Sequence, residues 1–172
     1  MYTEEVFRAS DHDPVVIGIS LIPQCAGLNA TIFVSRDGLI VGGPFDGRTY
    51  QHMIRGTAAD DVMVGTSDGD NMFGYEGDDV ICGLGGNDVL AGREGDDRLY
   101  GGSGNDTLIG WIGNDYLEGG EGYDVLLGFF GDDFLYAGEG RDVLNGGHGY
   151  DECDGGEGDD HAVHCEVIFA IP

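Results

Sequence analysis

Between residues 56 and 163 an aspartate stands at every ninth position: Asp61, Asp70, Asp79, Asp88, Asp97, Asp106, Asp115, Asp124, Asp133, Asp142, Asp151 and Asp160. Carboxylates brought into register by such a repeat repel one another unless a cation lies between them. A hard cation with six to eight oxygen ligands, drawn from carboxylates and from the backbone carbonyls that glycine turns expose, fits this set, and Ca2+ suits it better than Mg2+.

The elements that would hold these carboxylates are twelve consecutive nine-residue units, beginning at Gly56 and written without a gap. The unit GGSGNDTLI at 101–109 shows the pattern GGxGxDxUx, in which U is apolar. The eighth positions are Met63, Met72, Ile81, Leu90, Leu99, Leu108, Leu117, Leu126, Leu135, Leu144, Cys153 and Ala162. The first six residues of a unit are rich in glycine and are expected to form a turn. The last three alternate out, in, out, as a short strand does when one side chain faces a core. Two units then close a coil of 18 residues, and about six coils stack at about 4.8 Å into an all-β parallel β-roll.

In that stack the aspartates pair as 61/79, 79/97, 97/115, 115/133 and 133/151 along one edge and as 70/88, 88/106, 106/124, 124/142 and 142/160 along the other. The pairs provide for up to about ten Ca2+, which would bring a formal charge of −26 to roughly −6. One inward side chain per unit is too thin a core to offset the ordering of 34 glycines, so folding is expected to depend on the metal. A flexible acidic linker has a similar composition but does not hold one phase over twelve units.

The repeat resembles the RTX (haemolysin-type) nonapeptide, which implies a Ca2+-binding parallel β-roll over 56–163. The first two units depart from the pattern, with Thr57 and Thr66 at position two and Ala59 and Asp68 in place of glycine at position four. Sites that use Asp61 and Asp70 are therefore expected to be weak or empty. Ala137 replaces the first glycine of its unit, a milder change.

Ahead of the repeats, 1–22 resembles the last strand and active-site loop of the endonuclease/exonuclease/phosphatase family through Ser10, Asp11, His12, Asp13 and Pro14. The resemblance implies a general-base or phosphate-binding role for His12, with Asp11 orienting it or helping to hold a metal. The remaining residues of such a site do not precede the motif, so this chain alone is expected to be inactive and to form the end of a longer secreted nuclease or phosphatase. The apolar strand Val15 to Ile22 is available to dock on the module's own sheet or to join a neighbour by β-augmentation.

Residues 23–55 are expected to cap the coil, and Cys25, Gly27, Ala30 and Thr31 resemble the lead-in of secreted RTX arrays. Hairpin signals at Asp37-Gly38 and Asp46-Gly47 mark an insertion from Ile32 to Arg55. The tail is 164–172. Cys153 and Cys165 resemble the closing motif of such arrays, which implies a disulfide between them and leaves Cys25 for Cys82. A zinc cluster of Cys153, His161, His164 and Cys165 is the competing reading. His52 and His148 read as solvated surface residues.

An even number of cysteines and the calcium repeat place the protein outside the cell, and no run is long enough to span a membrane. All seven basic residues are arginines, too few for direct nucleic-acid binding. Two surfaces suggest partners. The even-unit sheet carries Phe73, Val89, Ala91, Ile109, Val125, Leu127 and Val143, a face for self-association into oligomers or fibres. Tyr75, Arg93, Trp111 and Phe129 form a ladder at 18-residue spacing, with Ile112 and Phe130 beside it, that suits a polysaccharide. The functional readings are a calcium-dependent folding module on a secreted phosphoesterase-like enzyme, an assembling or adhesive component, and an enzyme in its own right.

Overall fold

The computed structural model describes residues 24–34 and 38–169, so Asp11, His12 and the Val15 to Ile22 segment lie outside the described residues. In chain order the strands are β1 (Gln24–Cys25), β2 (Leu28–Asn29), β3 (Ile32–Val34), β4 (Ile40–Val41), β5 (Met53–Arg55), β6 (Val62–Val64), β7 (Asn71–Glu76), β8 (Val80–Gly85) and β9 (Val89–Glu94). They continue as β10 (Arg98–Ser103), β11 (Thr107–Ile112), β12 (Tyr116–Gly122), β13 (Val125–Phe130), β14 (Phe134–Gly140), β15 (Val143–His148), β16 (Glu152–Gly158), β17 (His161–Val163) and β18 (Val167–Phe169).

Alternate strands belong to opposite sheets. One sheet runs from β5 through β7, β9, β11, β13 and β15 to β17; the other runs from β4 through β3, β6, β8, β10, β12, β14 and β16 to β18. Leu99 pairs with Leu117 and Leu117 with Leu135, so each parallel neighbour lies 18 residues on. This is the two-unit coil of a parallel β-roll. Among the described residues the sheets also extend beyond the periodic sequence: Ile54 stands opposite Met72, Ile32 opposite Met63, and Cys153 opposite Ile168.

The core is a single file of eighth-position side chains from each sheet. Met63, Met72, Ile81, Leu90, Leu99, Leu108, Leu117, Leu126, Leu135, Leu144 and Cys153 are all fully buried. Ile32, Ile40 and Ile54, with Phe45 and Tyr50 against them, close the N-terminal end, and Ala162 and Cys165 pack at the other. A second, smaller cluster lies on the outer face of the first coils, where Cys25 and Ala30 cover Val64, Val80 and Cys82. The insertion is built as an antiparallel pair, β3 on β4, followed by a bridge from Leu39 to Thr49 across the Asp46-Gly47 turn. Disulfides join Cys25 to Cys82 and Cys153 to Cys165.

Strand length differs from the expectation. The first six positions were expected to form the turn, yet from β7 to β16 positions one to three continue the strand, joined by position four in β12, β14 and β16, and the turn is confined to what remains of positions four to six. Val89–Glu94, for example, spans the end of one unit and the start of the next. In-register stacking gives a glycine peptide an identical peptide to bond with one coil away, as at Gly102 opposite Gly120, so the extended backbone is satisfied without a side chain. The first two units are exceptions: β5 and β6 stop after three residues.

Replacing Leu117 by alanine in the middle of the file should destabilise the calcium-loaded protein by about 2–5 kcal/mol in chemical denaturation, since its neighbours in both directions are equally buried. Tyr150→Ala, at a side chain 55% exposed, should shift the same transition by less than about 0.5 kcal/mol.

Candidate metal sites in the turns

Each sixth-position aspartate closes the turn that precedes its strand, and its carboxylate is folded into the rod: the twelve are between 0% and 8% exposed. One oxygen of each is committed to the backbone. The Asp61 amide donates to Asp79 Oδ1 at 2.8 Å, the Asp79 amide to Asp97, Asp97 to Asp115, Asp115 to Asp133, and Asp133 to Asp151. The second column runs from Asp70 to Asp160 in the same way, through Asp88, Asp106, Asp124 and Asp142. Both columns join the residues that were paired by spacing, but through an amide donor rather than carboxylate facing carboxylate. The first column is finished at its ends by other side chains: the Thr31 hydroxyl donates to Asp61 Oδ1 at 3.1 Å, and Glu166 accepts the Asp151 amide at 2.7 Å.

The other oxygen is unpartnered. Oδ2 of Asp79, Asp88, Asp97, Asp106, Asp115, Asp124, Asp133, Asp142, Asp151 and Asp160 is buried and accepts no hydrogen bond. In the units of Asp79, Asp88, Asp97, Asp106, Asp115, Asp124, Asp133 and Asp151 it occupies the space left by the first glycine of its own unit, whereas the unit of Asp142 begins with Ala137. A Cβ on Gly101 would lie 2.5 Å from Asp106 Oδ2 and 2.6 Å from the Gly119 carbonyl oxygen, so a side chain there collides with both. Glycine at position four is required for another reason. Gly113 has φ 141° and its missing Cβ points at the Gly95 carbonyl one coil earlier, a conformation and an approach that only glycine tolerates.

An orphaned carboxylate oxygen beside a backbone carbonyl, repeated along both edges, is the donor set that a hard divalent cation takes. Without one, burial pushes these groups up: Asp97 to about 8, Asp79, Asp88 and Asp115 to about 7, and Asp124 and Asp133 to about 6. Neighbouring aspartates in the column add to the effect, Asp115 and Asp79 in the case of Asp97.

The family model for the RTX calcium-binding nonapeptide repeat, in four copies, matches residues 55–90, 91–126 and 127–162. The chain belongs to the RTX family. No curated protein matches it. RTX repeats bind calcium, and the repeat domain is a structural unit rather than a catalytic one.

The zinc alternative is overturned, because Cys153 and Cys165 are consumed in their disulfide and His164 instead bonds Asn145 Oδ1. Among the described residues no three His, Cys, Asp or Glu side chains gather as a metal cluster, so any site in this RTX module must be completed by backbone oxygen. No helix among them is long and apolar enough to cross a membrane. His52 and His148 are exposed.

The sequence reading overlooked a second ladder. Position-five side chains on the odd edge accept amides from the following coil: Asp60 from Asp78, Asp78 from Asp96, Asp96 from Asn114, Asn114 from Asp132, and Asp132 from Tyr150. Asn87 and Asn105 do the same on the other edge. The recurrence of Asp or Asn at 18-residue spacing was the available signal.

The pKa shifts fix the direction of the pH response. Aspartates whose folded pKa is raised hold protons that the unfolded chain has released, so the metal-free fold is favoured at low pH and loses stability as pH rises from about 4 to about 8. Far-UV circular dichroism in chelator should show β structure gained on acidification through that window. Calcium affinity should change in the opposite sense, weakening as pH falls, with protons released on binding near neutral pH.

Proposed function

We propose that this RTX module is a calcium-dependent folding unit of an extracellular protein, with Oδ2 of the ten aspartates from Asp79 to Asp160 and the first-position carbonyls as the calcium ligands. The observation that carries the reading is the column of buried, unpartnered oxygens, eight of the ten in a space that a Cβ on the first glycine would fill. When bound, the ion supplies charge neutralisation and cross-links consecutive coils through oxygen. The chain's own residues do the rest: Oδ1 sets the coil spacing through the amide it accepts, and the first glycine leaves the cradle open. Up to about ten ions fit this donor count.

Without the ion, a formal charge of −26, 34 glycines and a one-residue-wide file of apolar side chains favour an expanded chain. Extracellular modules of this kind bind calcium at roughly 10⁻⁴ to 10⁻³ M, so folding would follow export. Two disulfides fit that compartment. The tie to an upstream phosphoesterase rests on the Asp11 and His12 resemblance alone.

A second reading, assembly or polysaccharide binding, is favoured by one surface. The apolar residues assigned to the even-unit sheet and the aromatic ladder lie on the same seven-stranded sheet. Phe73, Val89, Ile109, Val125 and Leu127 are half-buried there and Val143 is exposed. Trp111 and Phe129 stack at 4.8 Å and are exposed beside Ile112 and Phe130, while Arg93 lies over Tyr75.

Calcium titration into chelator-stripped protein, followed by far-UV circular dichroism and sedimentation, tests both readings. A cooperative gain of β structure that magnesium does not reproduce, in a particle that stays monomeric, is the expected result. Growth into oligomers would favour the apolar sheet as the functional surface. A chain that is β-structured throughout in chelator would overturn the calcium reading. Asp97→Asn together with Asp106→Asn should weaken the calcium response, shifting its midpoint upward by about tenfold or more.

A further inference from the structure

The first two units are built differently from the ten that follow. The Thr57 amide donates to Asp61 Oδ2 at 2.7 Å and the Thr57 hydroxyl donates to the same oxygen at 2.9 Å. In the next unit the Thr66 amide and hydroxyl donate to Asp70 Oδ2 at 2.7 and 3.1 Å. This is the atom left without a partner in every later unit. Each hydroxyl also accepts the amide of position four, Ala59 and Asp68 respectively, at 3.2 Å, so a compact hydrogen-bonded turn fills the place of the open cradle.

The backbone differs to match. In later units position two lies in the left-handed region even where the residue is bulky: Tyr75, Leu84, Arg93, Trp111 and Phe129 have φ between 81° and 95°. Position four is a glycine with φ between 103° and 155°, from Gly77 to Gly158. Thr57, Ala59, Thr66 and Asp68 are not in that region. With position two in the ordinary region, its amide turns onto the unit's own aspartate instead of leaving the carboxylate oxygen free. Two turn types therefore coexist in one rod, open from residue 74 onward and closed before it. Strand length changes at the same boundary, from three residues in β6 to six in β7.

We infer that the units at 56–64 and 65–73 are closed by threonine in place of calcium, and that they form, with the cap, a calcium-independent end of the rod on which the remaining coils stack when calcium is present. The inference rests on the calcium reading of the ten open turns. Asp61 has protein partners on both oxygens, since Thr31 supplies the donor for Oδ1. Asp70 retains one unpartnered oxygen, Oδ1, at the end of its column, but its Oδ2 is taken. The same end carries a second apolar layer of Cys25, Ala30, Val64, Val80 and Cys82, the closing side chains Ile32, Ile40 and Ile54, and a disulfide from the cap into β8. More apolar burial and fewer uncompensated carboxylates both favour order without metal. In a stack where each coil contacts only its neighbours, a preformed end supplies the costly first contact and growth proceeds from it.

Hydrogen exchange on the full, disulfide-intact chain tests this directly. In chelator, amides over 53–73 should exchange at least about tenfold more slowly than those over 92–158, and calcium should protect the latter. Equal exchange rates over both stretches in chelator would overturn the inference; if both are protected, the calcium reading falls with it. Counting bound calcium by equilibrium dialysis provides a second test. Asp61→Asn with Asp70→Asn should leave the number of bound ions unchanged, because an asparagine can accept from threonine with its oxygen and, at position 61, donate to Thr31 with its nitrogen. Asp97→Asn with Asp106→Asn should lower it by about two. An equal loss in both variants would overturn the threonine closure while leaving calcium binding in place. Failure of the parent protein to bind calcium would instead sink the proposed function and the inference that depends on it.

Discussion

Everything in the rod depends on where a buried aspartate puts its two oxygens. One accepts the amide of the aspartate 18 residues earlier, which fixes the distance and phase between coils. The other has no protein partner in ten of the twelve units, and in eight of those it lies in the space vacated by a glycine. A buried carboxylate in that state is costly, because among the described residues no donor reaches that oxygen. The first-position glycines and the raised pKa values both follow from keeping that oxygen inside the turn.

The apolar core then has a secondary part. A single file of leucines shows which face of each strand turns inward but cannot set the spacing between coils, because neighbouring leucines pack equally well over a range of small displacements. Hydrogen bonds set it instead. Position six reaches back one coil, position five reaches forward one coil, and the two ladders run side by side along the odd edge. Where the open turn gives way to the one closed by threonine, the file thickens into a double layer under the cap. The molecule thus has two ways of placing the same carboxylate, open and threonine-closed.

Much of this was legible in the residues themselves. The 18-residue coil, the inward eighth position and the two aspartate columns follow from period and residue type, and Thr57 and Ala59 already marked their unit as unlike the others. What escaped was whatever depends on a backbone donor one coil away. The amide that donates to Oδ1 and the peptide pairing that lengthens strands through Gly102 and Gly120 are contributed by chain atoms that carry no residue-specific signal. The end pieces were opaque for a related reason. Thr31 and Glu166 stand in for missing neighbours of the repeat, and a replacement of that kind has no period to betray it.

A strictly repeating strand stack has a hidden degeneracy. Sliding one part of the chain by a whole coil would place aspartate on aspartate and leucine on leucine again, so the interior of the rod scarcely distinguishes the correct alignment from one that is shifted by 18 residues. The information that removes the ambiguity lies at the two extremities. Cys25 can meet Cys82, and Cys165 can meet Cys153, in one alignment each. The disulfides therefore act as frame markers: they index the coils, and a chain closed at both marks can stack its interior in only one order.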